Sequence, residues 1–115
     1  MDILKKYNEI ITATHENIEE YYIISKAYAD AQEGLAKQKL ECEHKTNVLI
    51  EQYVEKGYKI TEARTKAKQD TIDDQRKIIE IEKAVRKNKY YLKTLEYHIK
   101  LNTTLLSNLP EGIPE

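Results

Sequence analysis

The best candidate for metal chemistry in this sequence lies around Cys42, the only cysteine. Glu41 and His44 have the Glu-x-x-His spacing that helical di-metal sites use twice, and a homodimer would duplicate this pair beside Asp70 or Asp74. If Cys42 faces a helical core, however, Glu41 lies about 100° and His44 about 200° around the same helix, so both point to solvent. We therefore expect no metal site and no bound cofactor.

The sequence also contains no recognisable set of catalytic residues. The three histidines, His15, His44 and His98, lie far apart in the chain, and no serine or cysteine nucleophile has a histidine at a meaningful spacing. The three glycines are single and distant, so they form no phosphate-binding loop. His98 flanks an apolar seam described below, where we expect it to be a partly buried spacer. The sequence predicts a protein that is not an enzyme.

The segment from Lys83 to Lys100 carries a different kind of chemistry, because it holds six lysines and arginines against one glutamate. Tyr90, Tyr91 and Tyr97 are interleaved with these cations. Cations with aromatic rings suit single-stranded nucleic acid, since phosphate charge and base stacking supply affinity that tolerates any sequence. The expected nucleic-acid contacts are Lys83, Arg86, Lys87, Lys89, Tyr90 and Lys93.

A plainer interpretation competes with nucleic-acid binding. Residues 1–57 hold seven lysines against eleven acids, whereas residues 58–115 hold twelve lysines and arginines against nine acids. If the two halves lie side by side, the acidic half attracts the basic half. The basic segment would then be an ordinary solvated helix face. Its neutralising residues would be Glu9, Glu16, Glu19 and Glu20. The net charge of -1 also argues against binding through bulk charge.

Helices must position these residues, because apolar side chains in the first half recur at alternating spacings of three and four. The stripe comprises Leu4, Tyr7, Ile11, Ile18, Tyr21, Tyr28, Leu35, Cys42, Leu49 and Tyr53. It predicts one helix over residues 2–56, with Asp2 as its N-cap. Gly34 costs roughly 1 kcal/mol relative to Ala in a helix interior, but we expect the helix to continue through it. Gly57 suits the left-handed position after a helix end, so a turn is predicted over residues 57–60.

The second half predicts a helix over residues 61–108, with Thr61 as its N-cap. The first part of this helix is polar. The apolar residues available for burial there are Ala63, Ala67 and Ile72. Thr71 and Asp74 have the spacing of a capping box, so the helix could restart near them. A clear seam then follows. Its members are Ile78, Ile81, Val85, Asn88, Leu92, Leu95, Ile99, Asn102, Leu106 and Leu109. Two prolines near the end leave a flexible tail over residues 110–115.

These patterns together predict an all-α protein with a single domain over residues 1–109, folded as a long antiparallel, coiled-coil-like helical hairpin. The chain has no Phe or Trp, three Gly and two Pro, which fits long helices better than a large spherical core. Two helices alone bury only a narrow strip, so we expect a homodimer that forms a four-helix bundle. The residues expected at the self-association surface are Val85, Leu92, Leu95, Tyr97, Ile99 and Leu106.

The sequence also indicates a cellular location. A single cysteine forms no intrachain disulfide, which suits a reducing cytoplasm. The N-terminus lacks the pattern of a signal peptide, and the longest apolar runs are only a few residues. We therefore expect neither secretion nor a membrane partner.

The stretch GYKITEARTKAKQD, followed by the spaced Tyr91, Leu92, Ile99 and Leu106, resembles small helical accessory proteins encoded among early recombination and replication genes of phages of Gram-positive bacteria. The resemblance covers about the second half of the chain, from Leu40 onward. It implies a non-enzymatic adaptor or inhibitor that binds a phage or host protein of DNA metabolism or defence in the host cytoplasm, and it carries over no catalytic residues. The alternative is a single-strand nucleic-acid-binding accessory protein of recombination or replication.

Overall fold

The structure is a computed structural model that describes residues 2–108, and these residues form helices without any strand. The helices are α1 (Asp2–Glu55), α2 (Ile60–Asp70) and α3 (Ile72–Ser107). The predicted all-α class is confirmed. Leu109, the last predicted member of the seam, and the predicted tail lie outside the described residues.

Helix α1 continues through Gly34 and ends at Glu55, one residue before the predicted end. Gly57 follows with a φ of +97°, the left-handed conformation that favours glycine. The Gly57 N–H donates to the Val54 carbonyl at 3.0 Å, and the Tyr58 N–H donates to the Tyr53 carbonyl at 3.1 Å. This pair of bonds is the Schellman motif, which satisfies carbonyls at a helix end.

Aromatic packing reinforces this turn. The rings of Tyr53 and Tyr58 meet edge to face with their centroids 5.6 Å apart, which supplies the apolar contact that accompanies the motif. The Lys66 ammonium lies 4.9 Å from the centre of the Tyr58 ring, and the Lys56 ammonium lies 5.4 Å from the centre of the Tyr53 ring. The turn is therefore held by its backbone and by four neighbouring side chains.

The predicted N-cap of the next helix, Thr61, is wrong. Helix α2 begins at Ile60 with Lys59 as its N-cap, in the extended conformation and without a capping side-chain bond. The Lys59 carbonyl already accepts the Ala63 N–H at 2.8 Å, so Thr61 belongs to the first turn of the helix. Its carbonyl accepts the hydroxyl of Thr65 at 3.1 Å.

The single helix predicted over residues 61–108 is interrupted at Thr71. The Thr71 hydroxyl donates to the Ala67 carbonyl at 2.9 Å, and the Gln75 amide donates to the Lys68 carbonyl at 3.1 Å. The Gln75 side chain thus satisfies a carbonyl of the last turn of α2, whereas the same threonine back-bond at Thr14 and Thr46 lies within the uninterrupted α1. The Asp74 carboxylate accepts Lys45 at 2.9 Å instead of completing a capping box.

The described residues divide into two compact units. The second unit, Ala29–Arg86, contains the turn and helix α2. Its cross-helix contacts include Lys39–Glu82 at 3.9 Å, Lys45–Asp74 at 2.9 Å and the hydrogen bond from Tyr53 to Asp70. Residue numbers fall along one partner as they rise along the other, so the paired segments of this unit run antiparallel. Its buried side chains are Cys42, Ala63, Ala67 and Thr71.

The first unit pairs the start of α1 with the second half of α3, and its described residues are 2–28 and 87–108. On α3 the predicted seam is seen in the burial pattern, with Leu95 only 4% exposed. On α1 the predicted Ile18 is 37% exposed, while the polar Thr14 and Asn17 are half-buried. The half-buried positions 10, 14, 17, 21 and 24 follow the alternating spacing of three and four, and they include polar residues. Ile18 does not fall on this spacing and therefore lies at the edge of the seam.

Candidate interaction surface

The outward side of α3 in the first unit carries a regular row of aromatic and cationic side chains. Tyr90, Lys93, Tyr97 and Lys100, here called the outer row, follow one another at spacings of three, four and three residues. Residues spaced in this way share one face of a helix. Tyr90 is 72% and Tyr97 is 65% exposed, and both lysines are exposed. The face opposite the row is the seam that contains Leu95.

The cations of the first unit have no acidic partner among residues 2–108. The four ion pairs found there all lie in the second unit: Lys39–Glu82, Lys45–Asp74, Arg76–Asp73 and Lys83–Glu80. The expected neutralisation of the basic segment by acids of α1 is therefore not achieved through ion pairs. Of the expected nucleic-acid contacts, Lys87, Lys89, Tyr90 and Lys93 are exposed in the first unit. Lys83 and Arg86 belong to the second unit.

Carboxylates of the first unit accept tyrosine hydroxyls across the seam. Tyr21 donates to Glu96 Oε1 at 2.9 Å, and Tyr91 donates to Glu20 Oε1. These hydrogen bonds raise the pKa of both tyrosines above the usual 10.0, because the neighbouring carboxylate disfavours a phenolate. The spacing of apolar residues did not predict these two hydrogen bonds. It did place Tyr21 in the stripe that faces the other helix.

The two contacts also mark the two sides of the seam. Glu20 and Tyr21 are adjacent, so their side chains point about 100° apart and lie on opposite sides of the seam. On the side of Tyr21, an open depression is lined by Tyr21, Glu96, Ile99 and Lys100. Ile18 lies one turn before Tyr21 and Tyr22 and flanks the same side. We call this the Tyr21 side.

Most residues expected at a self-association surface contribute to the seam within the chain. Leu95 is buried, while Leu92, Ile99 and Leu106 are half-buried in the first unit. Val85 is half-buried in the second unit. Tyr97 alone among the six is exposed, and it lies in the outer row. A surface between copies would therefore use the edges of these seam residues.

The residues considered for metal binding are not brought together. Glu41 and His44 are exposed, whereas Cys42 between them is buried. Within residues 2–108, no group of three or more His, Cys, Asp or Glu side chains could hold a metal ion. The expectation that His98 is partly buried is wrong, because this ring is exposed beside Tyr97, with the ring centroids 5.9 Å apart.

Among the described residues, none of the helices combines the length and apolar character needed to cross a membrane. Comparisons of the chain with protein-family models, with curated proteins and with solved structures found no match.

Proposed function

We propose that this protein is a non-enzymatic helical interaction protein that self-associates as a four-helix bundle and binds another protein. The observation that carries the proposal is the very small number of apolar side chains that the first unit buries. Among its described residues, Leu95 is the one fully buried apolar side chain, while ten large apolar residues are exposed. Small helical layers of this kind usually gain stability from oligomerisation or a partner.

The Tyr21 side is the surface that best suits self-association. Ile11 and Ile18 of α1 flank this side, and Ile99 of α3 lines its depression. A second layer placed here would cover the edges of the half-buried seam. Covering about 200 Å² of apolar surface contributes about 5 kcal/mol before the entropic cost of association.

Sedimentation equilibrium over a wide concentration range tests the assembly. Ile18→Asp places a charge at the edge of the Tyr21 side, so it should shift a dimer toward the monomer. Ile23→Asp is the matched control, because Ile23 is 68% exposed and lies about 140° away around α1. A parent protein that is monomeric at every concentration, or equal dissociation by both variants, would contradict the four-helix bundle.

The second part of the proposal concerns the protein partner. The resemblance to phage accessory proteins supports a partner from DNA metabolism or defence in the host cytoplasm, bound by an adaptor or an inhibitor. Affinity capture from lysate of a Gram-positive host should retain one such protein on the parent chain. The captured protein must then bind the purified parent in a defined stoichiometry. Failure of the purified pair to bind would remove support for an adaptor or inhibitor.

A further inference from the structure

The outer row of α3 differs from the Tyr21 side in its chemistry, and it borders that side at Lys100, which also lines the depression there. Its members alternate between tyrosine and lysine over residues 90–100, and none of them is aliphatic. A protein helix docks on a row of aliphatic side chains. The row itself offers only rings and cations, and the exposed Leu101, one turn after Tyr97, is a single aliphatic side chain at its end. The Tyr21 side, by contrast, presents isoleucines. The two surfaces therefore call for different ligands.

The lysines of the row are free to bind an anion. Lys93 and Lys100 form no ion pair with any described residue, and neither do the flanking Lys87 and Lys89. The one acidic residue between positions 87 and 108 is Glu96, and its carboxylate accepts the Tyr21 hydroxyl at 2.9 Å on the seam side. Glu96 lies one helical turn from both Lys93 and Lys100 and lines the depression with Lys100, but it forms no ion pair with either lysine.

The tyrosines of the row are free to stack. Neither Tyr90 nor Tyr97 donates its hydroxyl to another described residue, in contrast to Tyr21 and Tyr91. Tyr97 touches the His98 ring at one edge, and Tyr90 is 72% exposed. Two turns of helix separate the two tyrosines, about 10 Å along the axis. Bases can stack on such rings irrespective of their sequence.

We propose that the outer row binds single-stranded nucleic acid, with backbone phosphates paired to Lys93 and Lys100 and bases stacked on Tyr90 and Tyr97. The alternation of cation and ring along one exposed face carries this inference. An acidic peptide would use the lysines but would not need the ring faces. The site extends the sequence-predicted contacts Lys87, Lys89, Tyr90 and Lys93 toward the end of α3, where it borders the Tyr21 side at Lys100.

Fluorescence anisotropy with a labelled oligothymidine of about 30 nucleotides tests the site on the full chain. The parent should bind at about 20 mM salt, and the logarithm of its affinity should fall linearly with the logarithm of the salt concentration. The double variant Lys93→Gln, Lys100→Gln should flatten this slope by about 1.4, since each phosphate contact to a single strand contributes about 0.7. Lys5→Gln with Lys26→Gln, two exposed lysines of α1, is the charge-matched control and should leave the slope unchanged.

A second pair of variants tests whether Tyr90 stacks on the bases. Tyr90→Ala should weaken binding about tenfold, whereas Tyr22→Ala should not, although Tyr22 on α1 is 71% exposed. Circular dichroism should show unchanged helicity for every variant. No binding by the parent at low salt, or equal losses in the row variants and their controls, would overturn the proposal. Displacement of the oligonucleotide by an equal charge concentration of polyglutamate would also overturn it, because the lysines would then select an acidic protein.

Discussion

The Tyr21 hydroxyl on α1 donates to Glu96 Oε1 on α3 at 2.9 Å, and two further tyrosines make the same kind of bond to a carboxylate on another helix. These are Tyr53 with Asp70 and Tyr91 with Glu20. Each bond raises the pKa of its tyrosine, first through the hydrogen bond itself. All three bonds are exposed to solvent, and each joins two helices that bury few side chains.

Alkaline pH should loosen this pairing. A folded-state pKa above the unfolded value of 10.0 means that the folded chain holds these protons more tightly. The stabilisation is fully present below about pH 10 and is lost as the pH rises through the raised values. The melting temperature of the parent should therefore fall as the pH rises above about 10.

The triple variant Tyr21→Phe, Tyr53→Phe, Tyr91→Phe isolates the tyrosine contribution. It should melt below the parent at about pH 8, and the gap should narrow as the pH rises. Lys45 has a pKa that is raised by its hydrogen bond to Asp74. Because Lys45 is present in both proteins, its effect on the melting temperature cancels in the difference between them. Melting curves followed by circular dichroism that stay a constant distance apart would show that these bonds do not govern alkaline stability.

Gly57 in the turn and Gly34 inside α1 should respond in opposite ways to replacement by alanine. Gly57→Ala forces a side chain into the left-handed conformation at φ +97° and should lower the free energy of unfolding by about 1 kcal/mol or more. Gly34→Ala should raise it by about 1 kcal/mol, because Gly34 lies inside α1 and an added Cβ meets nothing within 4 Å. Urea unfolding at one fixed protein concentration measures both changes, since association shifts apparent stability. Changes of the same sign would contradict the assigned backbone conformations.

The sequence predicted the seam of α3 better than it predicted the seam of α1. On α3 the apolar residues and the alternating spacing coincide, so Leu92, Leu95 and Ile99 are identified correctly. On α1 the spacing runs through Thr14, and the apolar Ile18 is displaced to the edge. Apolar residues therefore identify a seam only where they occupy the positions that helix geometry turns toward the neighbouring helix.

The break at Thr71 shows a second limit of sequence reasoning. The Thr71 side chain is fully buried, its hydroxyl bonds the Ala67 carbonyl, and the Thr46 hydroxyl of α1 lies 3.5 Å away. The capping-box spacing of Thr71 and Asp74 predicted a restart or kink near Asp70, but the Asp74 carboxylate accepts Lys45 instead of forming the box. Gln75 donates to the Lys68 carbonyl beside the break, and the Thr46 contact comes from another helix, so local spacing reveals neither contact. The outer row was partly predictable, because charge and tyrosine content marked its segment, but its unpaired lysines were visible only in the structure.

Close helix packing in the second unit depends on small side chains. Ala63 and Ala67 are completely buried and are one turn apart on α2. Ala67→Leu adds three carbons where the neighbouring helix already excludes solvent, and it should lower the free energy of unfolding by about 1–3 kcal/mol. Ala84→Leu is the control on exposed α3 surface and should change stability by less than about 0.5 kcal/mol. Equal tolerance of both changes would show that the packing around Ala67 is loose.

The first unit should be unusually sensitive at one position. Leu95 is 4% exposed and is the one fully buried apolar side chain among the described residues of that unit. Leu95→Ala should lower the free energy of unfolding by about 2–5 kcal/mol, because it removes apolar contacts and leaves a cavity that two helices close poorly. Leu105→Ala is the matched control, since Leu105 is 45% exposed, and it should cost less than about 0.5 kcal/mol. Hydrogen exchange adds the location of the effect: Leu95→Ala should speed amide exchange in residues 2–28 and 87–108 more than in the second unit. Uniform acceleration along the chain would mean that the two units unfold together and that Leu95 supports the whole protein.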